Sequence, residues 1–543
     1  MRYKSPDKPN KGRLTRGDFL SSEKGTILKK WGGKIPVCVV FPNSYHIGMS
    51  NLSVQMLYKT LNDIPDIVCE RCFFEEGKDI RSLESGHPLL SFRIVFFTIS
   101  YELDYVNILK ILRLSNIELD ATKRKDDEPI IVGGGICIMS NPEPICSFFD
   151  LFIMGDIEST IMTFMERFMV HNEKKRNGII GELSALEWVY NPKLLNVSYN
   201  DDGTVKSFTP ASFSVNPNRY KGKRLGASAV IAHETEFSDM VLVEGTRGCP
   251  SRCPFCLLGN SYGFSYDNIL PISTQVDDIG IIGGGVSFHP SIVDIARRLK
   301  VAGKRIHFPS LRIDATPIDL IELMKDDIKT LTFGIEAGTE RLRKSIGKPI
   351  NDEQLFEKID NILSIKPFNL KLYLMVGLFG ETMHDLGGIV DMVKRIRHIM
   401  IKKGAKRGFI GSITVHASPF VPKPATPFQW LPMQDMETLK NRIVWLKREF
   451  NKVDNTYFTH ESIKYSFLQG VLSRGDRRLK EVLLHLSMGE GLSHVLRQSP
   501  LNLNFYALRE RGYDEILPWD FIIGKVSKKR LHKTLVAMTS HIV

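Results

Sequence analysis

Short, wholly apolar runs that end in turn residues recur along this chain and constrain its fold more than any other feature. Four lie in the first third: IPVCVVF (35–41), RIVFFTIS (93–100), PIIVGGG (129–135) and LFIMGD (151–156). Each is strand-length, and helical patterns follow near 50–61, 103–114 and 158–170. A strand that is apolar on both sides needs cover on both faces, and alternation with helices marks a parallel sheet. Residues 30–170 are therefore expected to form one doubly wound α/β domain. The pattern resumes with MVLVEGT (240–246), IGIIGG (279–284), RIHFPS (305–310), TLTFGIEA (330–337), LKLYLMVG (370–377) and FIGSITVHAS (409–418). Six strands with helical crossovers suit a partial (β/α)6 barrel over 239–430. Between the two, 171–238 reads as a connector with a small β element, because NDDGTV (200–205) is a hairpin signal. Residues 431–543 are helix-rich and form the expected helical C-terminal region; 1–29 read as a basic flexible leader.

Composition narrows the class. Of 543 residues, 43% are hydrophobic and 25% charged, which suits a globular protein with sizeable cores. No run of eighteen apolar residues is present, so no membrane span is expected, and the N-terminus lacks the apolar centre of a secretory signal. The net charge of +12 permits contact with nucleic acid without requiring it. Eight cysteines are too few for a disulfide framework, but three of them fall within eight positions. That clustering points to metal in a reducing compartment, hence a cytoplasmic protein.

The three are Cys249, Cys253 and Cys256 in GTRGCPSRCPFCLLG (245–259), spaced C-x3-C-x2-C. Three thiolates on one tight loop can bind three irons of a 4Fe–4S cubane and leave the fourth open to a chelating substrate. A zinc loop is the plain alternative. Zinc sites usually take four ligands, and the further donors, Cys69, Cys72 and His289, lie far off in sequence.

This spacing, with the aromatic Phe255 before the last cysteine and a position after the first barrel strand, resembles the radical S-adenosylmethionine (radical SAM) superfamily. The resemblance implies an enzyme. The amino and carboxylate groups of S-adenosylmethionine chelate the open iron, and electron transfer into the sulfonium yields a 5′-deoxyadenosyl radical that abstracts hydrogen from substrate. It also implies a one-electron reductant of flavodoxin or ferredoxin type. Carried over by position, Gly283, Gly284 and Gly285 receive the methionine amino group, although no acid follows them as it usually does. Ser310 and Arg312 suit the carboxylate and ribose ends of the cofactor. Glu336 reaches the ribose or sulfonium side, and Gly377 lets backbone approach the adenine. An internal ion pair across the barrel mouth is the structural reading of Arg312 and Glu336.

The first domain resembles cobalamin-binding domains of the doubly wound type. NSYHIG (43–48) keeps the spacing of their Asp-x-His-x-x-Gly, with Asn43 for Asp, Tyr45 for His and Gly48 in place; Ser100, Gly133 and Gly134 follow in the expected order. If cobalamin binds, no protein histidine is expected on its cobalt, since Tyr45 replaces it and His46 is one residue out of register. The chain from about 30 to 530 also resembles one branch of the superfamily that has no assigned reaction. The shared segments include YHIGMSNL (45–52), KLYLMVGLFGET (371–382), FVPKPATPFQW (420–430), SRGDRR (473–478) and ILPWDFI (516–522).

The leading expectation is thus a radical SAM enzyme, in its most specific form a cobalamin-dependent methyltransferase acting on a carbon centre. The competing readings are a cobalamin-independent radical rearrangement, C–C bond formation or RNA modification, and, outside enzymes, an iron–sulfur module on nucleic acid. The substrate and the residues of the final chemical step are not legible.

Overall fold

The computed structural model describes residues 14–268 and 276–540. The first sheet runs β2-β1-β3-β4-β5-β6, with β1 Ile35–Phe41, β2 Ile67–Phe73, β3 Ile94–Thr98, β4 Ile130–Gly134, β5 Leu151–Ile153 and β6 Val189–Tyr190. All neighbours are parallel except β5 and β6. The order 2-1-3-4-5 is that of a doubly wound sheet whose topological switch lies between β1 and β3, where such folds bind ligands. β2 is absent from the sequence expectation because IVCERCF carries two charges in its centre. Arg71 is fully buried there, between Glu23 and Glu84 at 2.7 Å each, so the strand hides its charges in ion pairs.

One face of this sheet is covered by the helices Leu52–Asn62 and Ile157–His171. The other is covered by Tyr105–Leu114 and by two helices from the far end of the chain, Ile463–Arg474 and Lys480–Ser487, which insert Leu468, Val471 and Leu483 beside Ile108 and Leu112. Each such aliphatic side chain contributes about 1.5–3 kcal/mol by burial.

The expected boundaries give way in three places. The stretch 171–238 supplies β6 and the helix Arg176–Leu183 to the first domain, besides the hairpin of β7 Asn196–Tyr199 and β8 Val205–Thr209. The region 431–543 completes that domain's core and is not a separate tail. Residues 14–29 are structured, with a capped helix Arg16–Ser22 and a buried Glu23; residues 1–13 of the expected leader lie outside the described residues.

The second unit carries the expected six parallel strands. β9 (Val241–Glu244) pairs with β12 (Asp278–Ile282), which pairs with β13 (Arg305–His307). β14 (Thr330–Glu336), β15 (Asn369–Val376) and β16 (Ile413–Pro419) form a second sheet that β17 (Thr456–His460) extends as a seventh strand. A parallel bridge from Leu311 to Phe333 joins the two sheets into a partial barrel. β15 alternates: Leu370, Leu372, Leu374 and Val376 are buried under the outer helices, while Lys371, Tyr373 and Met375 are half-buried on the inner face. A two-residue ribbon, β10 (Thr246–Arg247) against β11 (Ser265–Tyr266), closes the loop that carries the three cysteines.

Candidate active site

The cysteine loop is held mainly through its backbone; among its thiols, Cys253 Sγ makes a long contact to Gly347 O at 3.6 Å. Gly248 sits at φ +70°, where an added Cβ would lie 2.6 Å from the Gly263 carbonyl oxygen. Asn260, in the helix Leu257–Ser261 that follows Cys256, donates from Nδ2 to the carbonyls of Cys253 (3.0 Å) and Cys256 (2.8 Å). From outside, the Phe428 N–H donates to Pro254 O at 3.0 Å. The proline-rich segment 420–430 therefore seats the loop, with Phe255 packed against Phe420, Phe428 and Trp430. Cys249 and Cys253 are buried and Cys256 is half-buried. Burial pushes the Cys253 thiol up, opposed by the cations of Arg312 and Lys348. Burial also raises Cys256, opposed by the N–H groups of Gly259 and Leu258.

Among the described residues, no three His, Cys, Asp or Glu side chains converge as a single metal ion requires. Cys69 and Cys72 are buried within β2, and His289 bonds the Asp267 carbonyl at 3.0 Å, so the donors that a zinc loop would need are committed elsewhere.

The glycines after β12 press on this loop. An added Cβ would lie 2.3 Å from Thr246 O at Gly283 (φ +146°), 2.0 Å from Leu258 Cδ2 at Gly284, and 3.3 Å from Cys249 Cα at Gly285. At Gly283 only a bare backbone fits, while Gly284 meets a leucine methyl and Gly285 is in tight contact. Arg312 reaches the loop directly: Nη1 donates to Cys253 Sγ at 3.4 Å, Nε is fixed by Asp314 at 2.9 Å, and the guanidinium lies 5.4 Å over the Phe288 ring.

Glu336 ends β14 at φ +70°, beside a register shift that re-aims its side chain. Such a backbone in a non-glycine residue costs about 1–3 kcal/mol. Its carboxylate accepts from Lys348 Nζ at 2.7 Å, so the ion pair expected across the barrel mouth is formed by Lys348 and not by Arg312. Two expectations are corrected. β13 stops at His307, so Ser310 lies three residues past the strand end, is exposed, and makes no hydrogen bond to the loop among the described residues. Gly377 lines a separate cavity of about 290 Å³ with Glu381, Met433 and Gln434, and none of the three cysteines borders it.

A larger cavity, about 820 Å³, opens between the two units. Its floor is the carboxyl edge of the first sheet, with Ser100 after β3, Gly133–Gly135 at the end of β4 and Gly155 after β5. Its opposite wall is the cysteine-loop side: Thr246, Gly248, Leu257, Leu258, Gly283 and Gly284. Ser100, Gly133 and Gly134 thus lie on the lining of this cavity. Asn43, Tyr45 and Gly48 are not on its lining, and they are corrected. Asn43 donates to Asp104 Oδ1 at 2.9 Å. Tyr45, 2% exposed, stacks on Phe19 and donates to Glu23 Oε1 at 2.6 Å. Gly48 meets the Phe73 ring. The loop after β1 winds into the short helix Tyr45–Met49, which turns these side chains into the core and presents Ile47, Ser50 and Asn51 to the cavity.

Several residues were missed from sequence. Arg247 joins the two units at the cavity rim, 2.6 Å from Glu244, 2.7 Å from Glu158 and 3.7 Å from Asp156. Inside the barrel, register aligns Gly334, Tyr373, His416 and Thr459 across four strands. His416 Nδ1 lies 2.9 Å from Thr459 Oγ1 and Nε2 lies 3.4 Å from Glu461, whose carboxyl His416 holds below its ordinary range. Alternating polarity on strands otherwise apolar was the available signal for this row.

Two family models match the chain: one described as radical SAM proteins, N-terminal, over 53–192, and one described as the radical SAM superfamily, over 243–393. Among curated proteins, the uncharacterized protein MJ0966 of Methanocaldococcus jannaschii is 26% identical over 479 residues, 86% of this chain and 94% of that one. The uncharacterized methyltransferase PH0819 of Pyrococcus horikoshii is 22% identical over 293 residues, 50% of this chain and 60% of that one. Among solved structures, the radical S-adenosylmethionine methyltransferase TsrM from Kitasatospora setae, with cobalamin and a 4Fe–4S cluster bound, superposes with TM-score 0.49 at 11% identity, over 86% of this chain and 99% of that one. The cobalamin-dependent S-adenosylmethionine radical enzyme OxsB superposes with TM-score 0.45 at 14% identity, over 93% and 79%. The superfamily model covers β9 to β15 with the cysteine loop between them, and the N-terminal model covers most of the first sheet: the chain belongs to the radical SAM superfamily of enzymes.

Proposed function

We propose that Cys249, Cys253 and Cys256 ligate a 4Fe–4S cluster at which S-adenosylmethionine is reductively cleaved, and that the cavity between the units holds cobalamin for methyl transfer to a carbon centre. The observation that carries the second part is the cavity itself. It runs from the switch point of the first sheet to the side of the cysteine loop formed by Gly248, Leu257 and Leu258, and its volume is that of a cofactor site. The donor set suits the cluster: three thiols on one loop, with the cations of Arg312 and Lys348 partly offsetting the rise that burial imposes on Cys253. The cradle suits a large planar ligand, because its floor is glycine and an added Cβ at Gly134 meets nothing nearer than 3.8 Å. Among the described residues the lining has no imidazole, so a corrin would take no histidine from this chain. A methyltransferase among the relatives points the same way.

When bound, the cluster supplies an electron to the sulfonium and the corrin a transferable methyl group. The chain's own part is positional. Arg312 sits at Cys253 with its guanidinium fixed by Asp314, ready for the carboxylate of S-adenosylmethionine. Gly283–Gly285 bring backbone against the loop where the amino group would lie. Tyr373 and His416 line the inner face of the barrel, where a substrate would rest. Division of labour follows: residues 30–170 hold the corrin, 239–430 the cluster, and the C-terminal region braces both.

The test is anaerobic purification with hydroxocobalamin, then incubation with S-adenosylmethionine and dithionite. A bound corrin spectrum with formation of 5′-deoxyadenosine or S-adenosylhomocysteine is expected. Cleavage without a bound corrin would leave the radical step and remove the methyltransferase form.

A further inference from the structure

The helix Lys528–Thr539 is two-faced. Leu531 and Leu535, one turn apart, are buried and share a cluster with Phe255, the residue before Cys256. Lys529 and Lys533, also one turn apart, lie half-way round the helix and are exposed. The thickness of one helix, about 10 Å, thus separates the back of the cysteine loop from solvent at these two lysines. The helix packs on the segment Pro427–Trp430, which seats the loop, and on Glu340–Ser345, which carries the exposed Lys344. Lys525 precedes it, with Nζ beside Gly263 of the cysteine loop's own closure. Arg530 is exposed on the same helix. None of these five cations has an ion-pair partner among the described residues, whereas Asp520 nearby is paired with Lys528 at 2.7 Å. A large excess of one charge sign, unpaired and on a thin wall, steers a partner of opposite charge.

We propose that this face, Lys525, Lys529, Arg530 and Lys533 with Lys344 beside them, docks a small acidic one-electron carrier protein. The proposal rests on the reading that the cysteine loop holds a reducible cluster. One electron leaves the carrier's reduced flavin or iron–sulfur centre for each S-adenosylmethionine cleaved, and the carrier departs oxidised by one electron. A nucleic-acid substrate fits the face less well, because no residue of this helix lines the cavity. Electrons enter from the back of the loop and substrate from the front.

Full-length protein with the double substitution Lys529→Glu and Lys533→Glu is compared with wild type in three measurements. Direct titration with flavodoxin and with a plant-type ferredoxin reads docking whatever the catalytic outcome. Cleavage driven by flavodoxin with its reductase reads electron delivery, and cleavage driven by dithionite reads the cluster alone. Expected are carrier binding weaker on the order of tenfold or more at low salt, a matching fall in carrier-driven cleavage, and unchanged dithionite-driven cleavage. Wild-type binding should also weaken steeply with added salt. Equal binding by variant and wild type, salt-independent binding, or wild-type binding to an RNA oligonucleotide in preference to both carriers would overturn the proposal. A wild type that binds carrier but yields no 5′-deoxyadenosine even with dithionite would instead overturn the cluster reading alone. Lys529→Gln with Lys533→Gln guards against misfolding, since it removes charge without adding any and must weaken binding by a smaller factor.

Discussion

Two loops that follow a first strand carry the two cofactor resemblances, and they use their side chains in opposite ways. In the cysteine loop after β9, backbone and neighbours do the holding. Asn260, the Phe428 N–H and the bare glycines 283–285 fix the chain, and the thiols add only the long contacts of Cys253 to Gly347 O and Arg312. In the loop after β1, side chains do the holding. Asn43 is tied to Asp104 and Tyr45 to Glu23, and neither reaches the cavity. Spacing alone does not distinguish these cases. What distinguishes them is how firmly the side chains of the motif are committed: Asn43 and Tyr45 make short hydrogen bonds that hold the fold, whereas Cys253 Sγ has only long contacts to Gly347 O and Arg312.

The sharpest way to break the comparison is at Cys253. Cys253→Ala is expected to abolish 5′-deoxyadenosine formation and to lower iron content after reconstitution, with the melting temperature of the apoprotein nearly unchanged. Retained cleavage would mean that the loop is not the site.

The second effect concerns Asp104. Burial pushes its carboxyl up to about 7, and the hydrogen bond from Asn43 only partly offsets this. The folded protein therefore holds a proton that the unfolded chain releases near 4, so stability falls as pH rises from about 4 to about 7. Asp104→Asn removes that dependence. At pH 8 the variant should gain on the order of 3 kcal/mol relative to its difference from wild type at pH 4. Melting curves at the two pH values measure it, and parallel wild-type and variant profiles would show that Asp104 does not titrate in this range.

A third test contrasts glycines on the two walls of the cavity. Gly283→Ala places a Cβ 2.3 Å from Thr246 O at a φ that side chains avoid, so a loss of about 1–3 kcal/mol is expected, with poorer cluster incorporation. Gly134→Ala has room, with its nearest contact at 3.8 Å, so the fold should hold and any loss should fall on corrin affinity. Equal destabilisation by both would deny that the floor is open.

The sequence made the parallel strands legible wherever apolar runs were uninterrupted, as in β1, β3 and β4. It failed where tertiary pairing overrides local character. Glu70 and Arg71 hide β2, because partners from elsewhere in the chain make their burial tolerable: Glu23 and Glu84 pair with Arg71, and Trp31 Nε1 and Ser85 Oγ donate to Glu70. β17 is short and largely exposed, so it has no apolar signature. The three cysteines were legible because their spacing fixes them on one loop; Arg312 reaches that loop although it lies beyond the end of β13. Arg247, Lys348 and the His416–Glu461 pair were not legible, since each acts through a partner far away in sequence.

The smallest effect decides the most about the first loop. Tyr45 occupies the position that a lower cobalt ligand would take by spacing, yet its ring stacks at 4.1 Å on Phe19 and its hydroxyl serves Glu23. Tyr45→Phe keeps the ring and removes one hydrogen bond, while Arg71 continues to hold the Glu23 carboxylate. The expected cost is about 1 kcal/mol in unfolding free energy, with 5′-deoxyadenosine formation unchanged. The spectrum of any bound corrin should also be unchanged, because the phenol oxygen is turned away from the cavity that would hold it. A shifted corrin spectrum in Tyr45→Phe would place the hydroxyl on the cofactor, and the loop after β1 would then have to unwind its helix Tyr45–Met49 and release Glu23 before the cofactor could bind.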